Sequence, residues 1–250
     1  MGKRNKSFII LAALIVVAFL ALSGFVGWAG AAAKPMPEAT AALVSDADVL
    51  VTTDDWITFQ PADGSAEVGL IIYPGGRVDP RAYAPAARAI ASQGYQVVIV
   101  PMPLNLAVFD ANAADAVLAA NPAIQTWAIA GHSLGGSMAA QYVHNQPDKV
   151  DGVALWAAYP AENANLSAYT GQAVSIYGTE DGLATVEDIE NAADLLPNTV
   201  QWWKISGGNH AQFGWYGEQT GDHAATISRT AQQDQIIAAT LSLLHAIQKP

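Results

Sequence analysis

The sequence predicts an α/β domain: a mostly parallel central sheet with helices on both faces, preceded by one membrane-crossing helix. Three observations carry this. Apolar β-branched runs alternate with helical segments from Trp56 onward, a serine between glycines sits where one such run meets the next helix, and residues 8–33 are apolar with no charged position. At 250 residues the chain suits a single globular domain. With 52% hydrophobic and 13% charged residues, it has the apolar material for a large core and is not disordered.

Lys3, Arg4 and Lys6 form a basic head, and the 21 residues from Phe8 to Trp28 carry no charge. At about 1.5 Å per residue that run spans roughly 30 Å, the thickness of a bilayer core. The basic head favours a cytoplasmic N-terminus. Two fates share the pattern: an uncleaved signal anchor, or a signal peptide cut near Ala31-Ala32-Ala33. The run exceeds the roughly 7–15 residues of a signal-peptide core, which favours the anchor. Residues 1–33 are therefore read as anchor or signal. Residues 34–55, with Pro35, Pro37 and several acids, are read as a stalk, and residues 56–250 as the domain. Either fate puts that domain outside the cytoplasm, tethered to the membrane or secreted.

Along the domain, Trp56–Gln60 and Val68–Tyr73 read as strands joined by a turn at Ala62–Ser65, suggesting an antiparallel edge. Further strands are expected at Gln96–Val100, Thr126–Ala130, Val150–Trp156, Val174–Tyr177 and Val200–Ile205. Helices are expected at Arg81–Ser92, Asp110–Ala120, Leu134–Asn145, Val186–Leu196 and Ser228–Ile247.

Composition excludes several functions. The formal net charge is −11, and only 11 Lys and Arg are present, so no basic patch exists to bind nucleic acid. Without cysteine there is no disulfide, no zinc-thiolate site and no cysteine nucleophile. No glycine pattern marks a nucleotide site, and neither a cofactor nor a metal is called for.

The chemistry-bearing motif is Gly131-His132-Ser133-Leu134-Gly135, which fits G-x-S-x-G with a strand entering and a helix leaving. A serine on so sharp a turn needs neighbours without side chains two positions either way, and Gly131 and Gly135 supply them. Ser133 is then the nucleophile. In this arrangement an acid and then a histidine follow along the chain. Asp181 follows the strand Val174–Tyr177, with Glu180 beside it as competitor. His210 follows Val200–Ile205, with His223 as its rival. His132 is expected to point away from the site. His210 would take the serine proton as Ser133 attacks an acyl carbonyl, and Asp181 would hold the imidazole. The oxyanion needs two donors: the Leu134 N–H, and one from the loop of Gly75, Gly76 and Arg77.

With these residues assembled, the chain resembles the α/β-hydrolase superfamily, and within it the small bacterial hydrolases of the α/β hydrolase fold-5 group. The likeness runs from about Trp56 to the C-terminus. Tyr73–Pro80, Pro101–Ala107, the serine turn and Gly208–Gly214 carry it. It implies Ser133, Asp181 and His210 as a triad, with an oxyanion donor near Gly76. Lipase-like relatives carry His-Gly before this loop where the present chain has Pro74-Gly75-Gly76. Dienelactone hydrolases use cysteine, and dehalogenases place Asp at the elbow, so those reactions are not expected here.

Met102, Phe213 and Trp215 are the candidate pocket walls, from the strand end before Met102 and the aromatic loop after His210. The short connection Ala158–Gly171 leaves room for a small cap, which suits short or medium acyl esters. The expected partners are a small acyl substrate and, through the N-terminal helix, a membrane. The expected function is a serine hydrolase acting on a small carboxylic ester. An acyltransferase or amidase on the same triad, or a non-catalytic membrane-tethered binding protein, are the alternatives.

Overall fold

Every residue of the run Val-Gly-Leu-Ile-Ile-Tyr is buried in the structure, as a strand covered on both faces must be. The computed structural model describes residues 3–248. The order is α1 (Lys3–Gly30), α2 (Pro37–Ala41), β1 (Val49–Thr53), β2 (Ile57–Pro61), β3 (Val68–Tyr73), α3 (Ala84–Ala91), β4 (Gln96–Ile99), α4 (Ala114–Ala120), β5 (Thr126–His132), α5 (Leu134–Asn145), β6 (Gly152–Trp156), β7 (Gln172–Gly178), α6 (Val186–Asn191), β8 (Gln201–Ile205) and α7 (Arg229–Ile247), with short 3-10 turns between some of them.

The strands form one 8-stranded sheet in the order β1-β2-β4-β3-β5-β6-β7-β8. All neighbours from β4 to β8 are parallel, and β1–β2 and β2–β4 are antiparallel. Alternate residues feed two cores. Leu70 and Ile72 of β3 join α3 and α7 on one face, while Ile71 and Tyr73 join α4 and α5 on the other. The strand order reverses beside β3, so the connections after β3 and β5 leave in opposite directions and open a crevice at their carboxyl ends.

Two expectations change. β2 and β3 are not paired: β4 lies between them, and the antiparallel edge is β1 with β2. β3 is the strand that can be buried on both faces, whereas β2 alternates buried and half-buried positions, the pattern of a strand nearer the edge. The segment read as a stalk is folded onto the domain. It contains α2 and β1, and the Met36 N–H donates to the Trp215 carbonyl in the loop after β8 at 2.8 Å; just before it, the Ala33 N–H donates to the Arg77 carbonyl in the loop after β3 at 2.7 Å. β1 escaped notice because only Val49 is fully buried in it, so it lacks a clear alternation.

α1 is long and apolar enough to cross a membrane. Ile10, Leu14, Val17, Phe19 and Leu20 point to different sides of the helix, and each is at least 60% exposed, so no face of this stretch is packed against protein.

Arg88 of α3 ties the former stalk down. Its Nε donates to the Ala42 carbonyl at 2.8 Å, Nη1 to Asp46 Oδ2 at 2.6 Å, and Nη2 to the Val44 carbonyl. Arg88→Ala is expected to cost about 1.5–3 kcal/mol, the range for hydrogen bonds to a charged group. Limited proteolysis should then cut first between Ala42 and Asp48, while circular dichroism shows the sheet intact.

Candidate active site

Ser133 joins β5 to α5 with φ 52° and ψ −122°. A positive φ is uncommon for a residue bearing a side chain. Here the turn is fixed from both sides. A Cβ on Gly131 would lie 2.4 Å from the Gly135 carbonyl carbon, and one on Gly135 would lie 2.3 Å from the carbonyl oxygens of Tyr73 and Pro74. The start of α5 is thus pressed against the end of β3. The Ser133 N–H donates to the Trp156 carbonyl at 2.9 Å, tying the turn to the end of β6.

The loops after β7 and β8 supply the other two groups. Asp181 Oδ2 is 2.8 Å from His210 Nδ1, and both side chains are buried. Asp181 Oδ1 accepts from the N–H groups of Leu183 at 2.8 Å and Ala184 at 2.7 Å, so the whole carboxylate is oriented. Glu180 turns to the Thr179 hydroxyl, and His223 is exposed, so neither rival occupies this position. His210 Nε2 is buried without a hydrogen-bond partner.

His132 lies against this pair and does not point away from it as expected. Its ring is 4.6 Å from the His210 ring, and it stacks on Phe213 at 5.6 Å with 7° between planes. The cause is its place as the last residue of β5, where it belongs to the strand and is wholly enclosed. Burial, reinforced by the neighbouring His210, holds the His132 pKa well below the usual imidazole value. It stays neutral, and its Nδ1 accepts from the Tyr83 hydroxyl at 2.8 Å.

That hydroxyl also bears on the candidate oxyanion donors. The Gly75 N–H donates to Tyr83 Oη at 2.9 Å, and the Arg77 N–H donates to the Asn105 carbonyl at 2.7 Å. Both are engaged elsewhere, so the expectation for Gly75 is corrected. The N–H groups of Gly76 and Leu134 have no acceptor among the described residues, and the two residues are in contact: a Cβ on Gly76 would be 3.1 Å from Leu134 Cδ2.

The sequence from residue 69 to residue 234 matches the model of the alpha/beta hydrolase family. The chain belongs to that family. Similar solved structures agree in fold. A CIB-like hydrolase from Thermoplasma acidophilum superposes with a TM-score of 0.61 at 14% identity, covering 79% of this chain and 99% of its own. Ferulic-acid-bound Est1E from Butyrivibrio proteoclasticus gives 0.58 at 11%, covering 80% and 98%. A structure of the metagenome-derived lipolytic enzymes LipS and LipT gives 0.54 at 15%, covering 82% and 99%. A search of curated protein sequences finds no match.

Of the expected pocket walls in this hydrolase, Phe213 is wholly buried and supports His132 from beneath, so it does not line an open pocket. Met102, 7% exposed, belongs to the core on the α4–α5 face. Met102 follows a strand end and Phe213 lies in the aromatic loop after His210, positions that serve packing as readily as binding. Trp215 is half-buried, with the Arg229 guanidinium over its ring at 5.9 Å.

Sequence reasoning missed the groups that hold the His210 loop. Asp222 Oδ1 accepts from the N–H groups of Gly182 at 3.0 Å and His210 at 3.2 Å, and its Oδ2 accepts from Ala211 at 2.8 Å. One carboxylate therefore binds the acid loop to the histidine loop. From α7, Gln232 exchanges two bonds with the Asn209 backbone at 2.9 and 2.7 Å, and Arg229 donates to the carbonyls of Ala211, Gly214 and Gly217. The available signal was the polar start of α7, where Gln232 and Gln233 fall on buried positions.

Asp222→Asn removes an acceptor facing several N–H donors. It is expected to cost about 1.5–3 kcal/mol, since these are hydrogen bonds to a charged group. Hydrogen exchange should quicken together at Gly182, His210 and Ala211, while β5 and β6 keep their protection.

Proposed function

We propose that this hydrolase is a membrane-anchored serine hydrolase, its catalytic domain outside the cytoplasm, which cleaves a small carboxylic ester through an acyl-enzyme on Ser133. The observation that carries the reading is the buried Asp181–His210 bond, with His210 Nε2 left unpartnered beside the strand end that delivers Ser133. In enzymes without substrate, the serine–histidine bond is often long and tightens on binding.

In the first half-reaction Ser133 Oγ attacks the ester carbonyl carbon while His210 Nε2 takes its proton. Asp181 stabilises the imidazolium and fixes the tautomer that leaves Nε2 free to accept. The carbonyl oxygen becomes an oxyanion held by the Gly76 and Leu134 N–H groups, at the end of α5 where the helix dipole is positive. His210 returns the proton to the alcohol as the C–O bond breaks, leaving the acyl group on Ser133. Water then attacks the acyl carbon while giving a proton to the same nitrogen; the bond to Ser133 Oγ breaks, His210 returns the proton to that oxygen, and the acid is released.

Substrate size is argued from the cap. The connection from β6 to β7 holds only a 3-10 turn at Glu162–Ala164, and among the described residues no lid domain is inserted there. Acyl chains of short or medium length suit such a site. The lipolytic and ferulic-acid-bound neighbours accord with ester chemistry and do not choose between substrates.

The test is labelling with a fluorophosphonate, alongside turnover of short p-nitrophenyl esters. The wild type should label and turn over, and Ser133→Ala should lose both. Asp181→Asn is expected to lower kcat by about 10³–10⁴-fold through loss of the correct tautomer. No labelling of folded wild-type protein would overturn the reading.

A further inference from the structure

The large apolar side chains left exposed on the domain are mostly scattered singly, which needs no explanation. One group is not scattered. Leu104, Val108 and Phe109, in the connection from β4 to α4, are 37%, 55% and 52% exposed. The Phe109 ring meets Phe25 of α1 edge-on at 6.1 Å, and Phe25 meets Trp28 at 5.9 Å. The patch is continuous with the apolar surface of α1.

The junction is built, not incidental. The Arg77 guanidinium lies 4.3 Å over the Trp28 ring and donates to the carbonyls of Trp28 at 3.0 Å and Ala31 at 3.2 Å. α1 has no basic residue in its own last turn, so the domain supplies the cation that a helix C-terminus favours. Asn105 Nδ2 donates to the Ala29 carbonyl at 3.3 Å. Leu104 and Asn105 adopt φ of 53° and 55°, a costly conformation for leucine that persists only where the surroundings fix it.

The same loop borders the reaction site. The Asn105 carbonyl accepts from Arg77, next to Gly76, and Leu106 Cδ2 is 3.6 Å from where a Gly76 Cβ would lie. Depth follows from helix geometry. Trp28 suits the aromatic belt at a bilayer surface. Phe25 lies three residues earlier, about 4.5 Å deeper along the axis. Phe109, packed on Phe25, is carried to the level where headgroups meet acyl chains.

We infer that Leu104, Val108 and Phe109 form a rim seated in the surface of a zwitterionic bilayer, so that the Ser133 site takes esters that partition into that interface. This rests on the anchored hydrolase reading. The lipid is zwitterionic because the chain's net charge of −11 opposes an anionic surface. A short acyl group on an amphiphilic alcohol fits both the small cap and the membrane-facing mouth.

The chain has no cysteine, so single labelling sites can be introduced. The full chain carrying Phe109→Cys, or Asn198→Cys in the loop entering β8 at the opposite end of the sheet, is labelled with a fluorophore and reconstituted in phosphatidylcholine vesicles. Quenching by nitroxide lipids should be about tenfold stronger at 109 than at 198, and an aqueous quencher should give the reverse. Equal quenching at the two sites would overturn the rim. Protein that fails to float with vesicles would overturn the anchor and the rim together. Both readouts are independent of catalysis, and fluorophosphonate labelling of the same samples reports separately on the hydrolase reading. In parallel, Val108→Ser/Phe109→Ser should leave turnover of soluble p-nitrophenyl acetate within about twofold, and lower turnover of a vesicle-bound ester about tenfold. An equal fall on both substrates would contradict the inference.

Discussion

The arrangement depends on one close approach: the first turn of α5 pressed against the end of β3, with only glycine able to occupy the contact. Because a Cβ on Gly135 would fall 2.3 Å from two carbonyl oxygens, the chain can turn there in one way, and Ser133 accepts a φ of 52° as the consequence. That turn brings the Leu134 N–H beside the Gly75-Gly76 loop leaving β3. It also sets His132 at the end of β5, against the His210 loop. The strained serine, the pair of free N–H groups and the buried histidine contact are therefore parts of one packing solution. The parallel sheet around it supplies the rigidity needed to keep a few tenths of an ångström meaningful.

The second half of the site is held differently. Asp181 and His210 stand on loops, and loops position groups well only when their backbone donors and acceptors are met. Asp222, Gln232 and Arg229 meet them, linking the loop after β7, the loop after β8 and the start of α7. Tyr83 plays the matching part on the other side, accepting from Gly75 and donating to a neutral His132. Burial of so many polar groups is tolerable because most are paired; His132 Nε2, Ser175 Oγ, Gln212 Oε1, Trp215 Nε1 and His210 Nε2 are buried without a partner, and His210 Nε2 is the one that the proposed chemistry uses.

The legible part of the molecule was the part in which a residue's type answers to its own backbone. Gly131 and Gly135 mark the serine turn, and continuous apolar runs such as Val68–Tyr73 mark the central strands. Asp181 and His210 were singled out by chain order and by the strands before them, and the two lie 2.8 Å apart. The choice between Gly75 and Gly76 could not be made, because it turns on Tyr83, which a fold must bring to within 2.9 Å of the Gly75 nitrogen. β1 and α2 were hidden because each has a single fully buried residue, Val49 and Ala39, and so no alternation to read. Asp222 read as an ordinary loop acid, since its partners lie 40 residues away at Gly182 as well as nearby. Phe213 read as a pocket wall because aromatic residues in a loop such as that of His210 look alike in sequence whether they face a substrate or, as here, another ring.

The central claim is that Ser133, His210 and the N–H groups of Gly76 and Leu134 converge on one reacting atom. The structure of the protein with a phosphonate covalently attached to Ser133 tests it most directly. The expected result is one phosphonyl oxygen within hydrogen-bond distance of both the Gly76 and Leu134 nitrogens, with His210 Nε2 facing the Ser133 oxygen. A phosphonyl oxygen turned to solvent, or held by Gly75 after loss of its bond to Tyr83, would contradict the account.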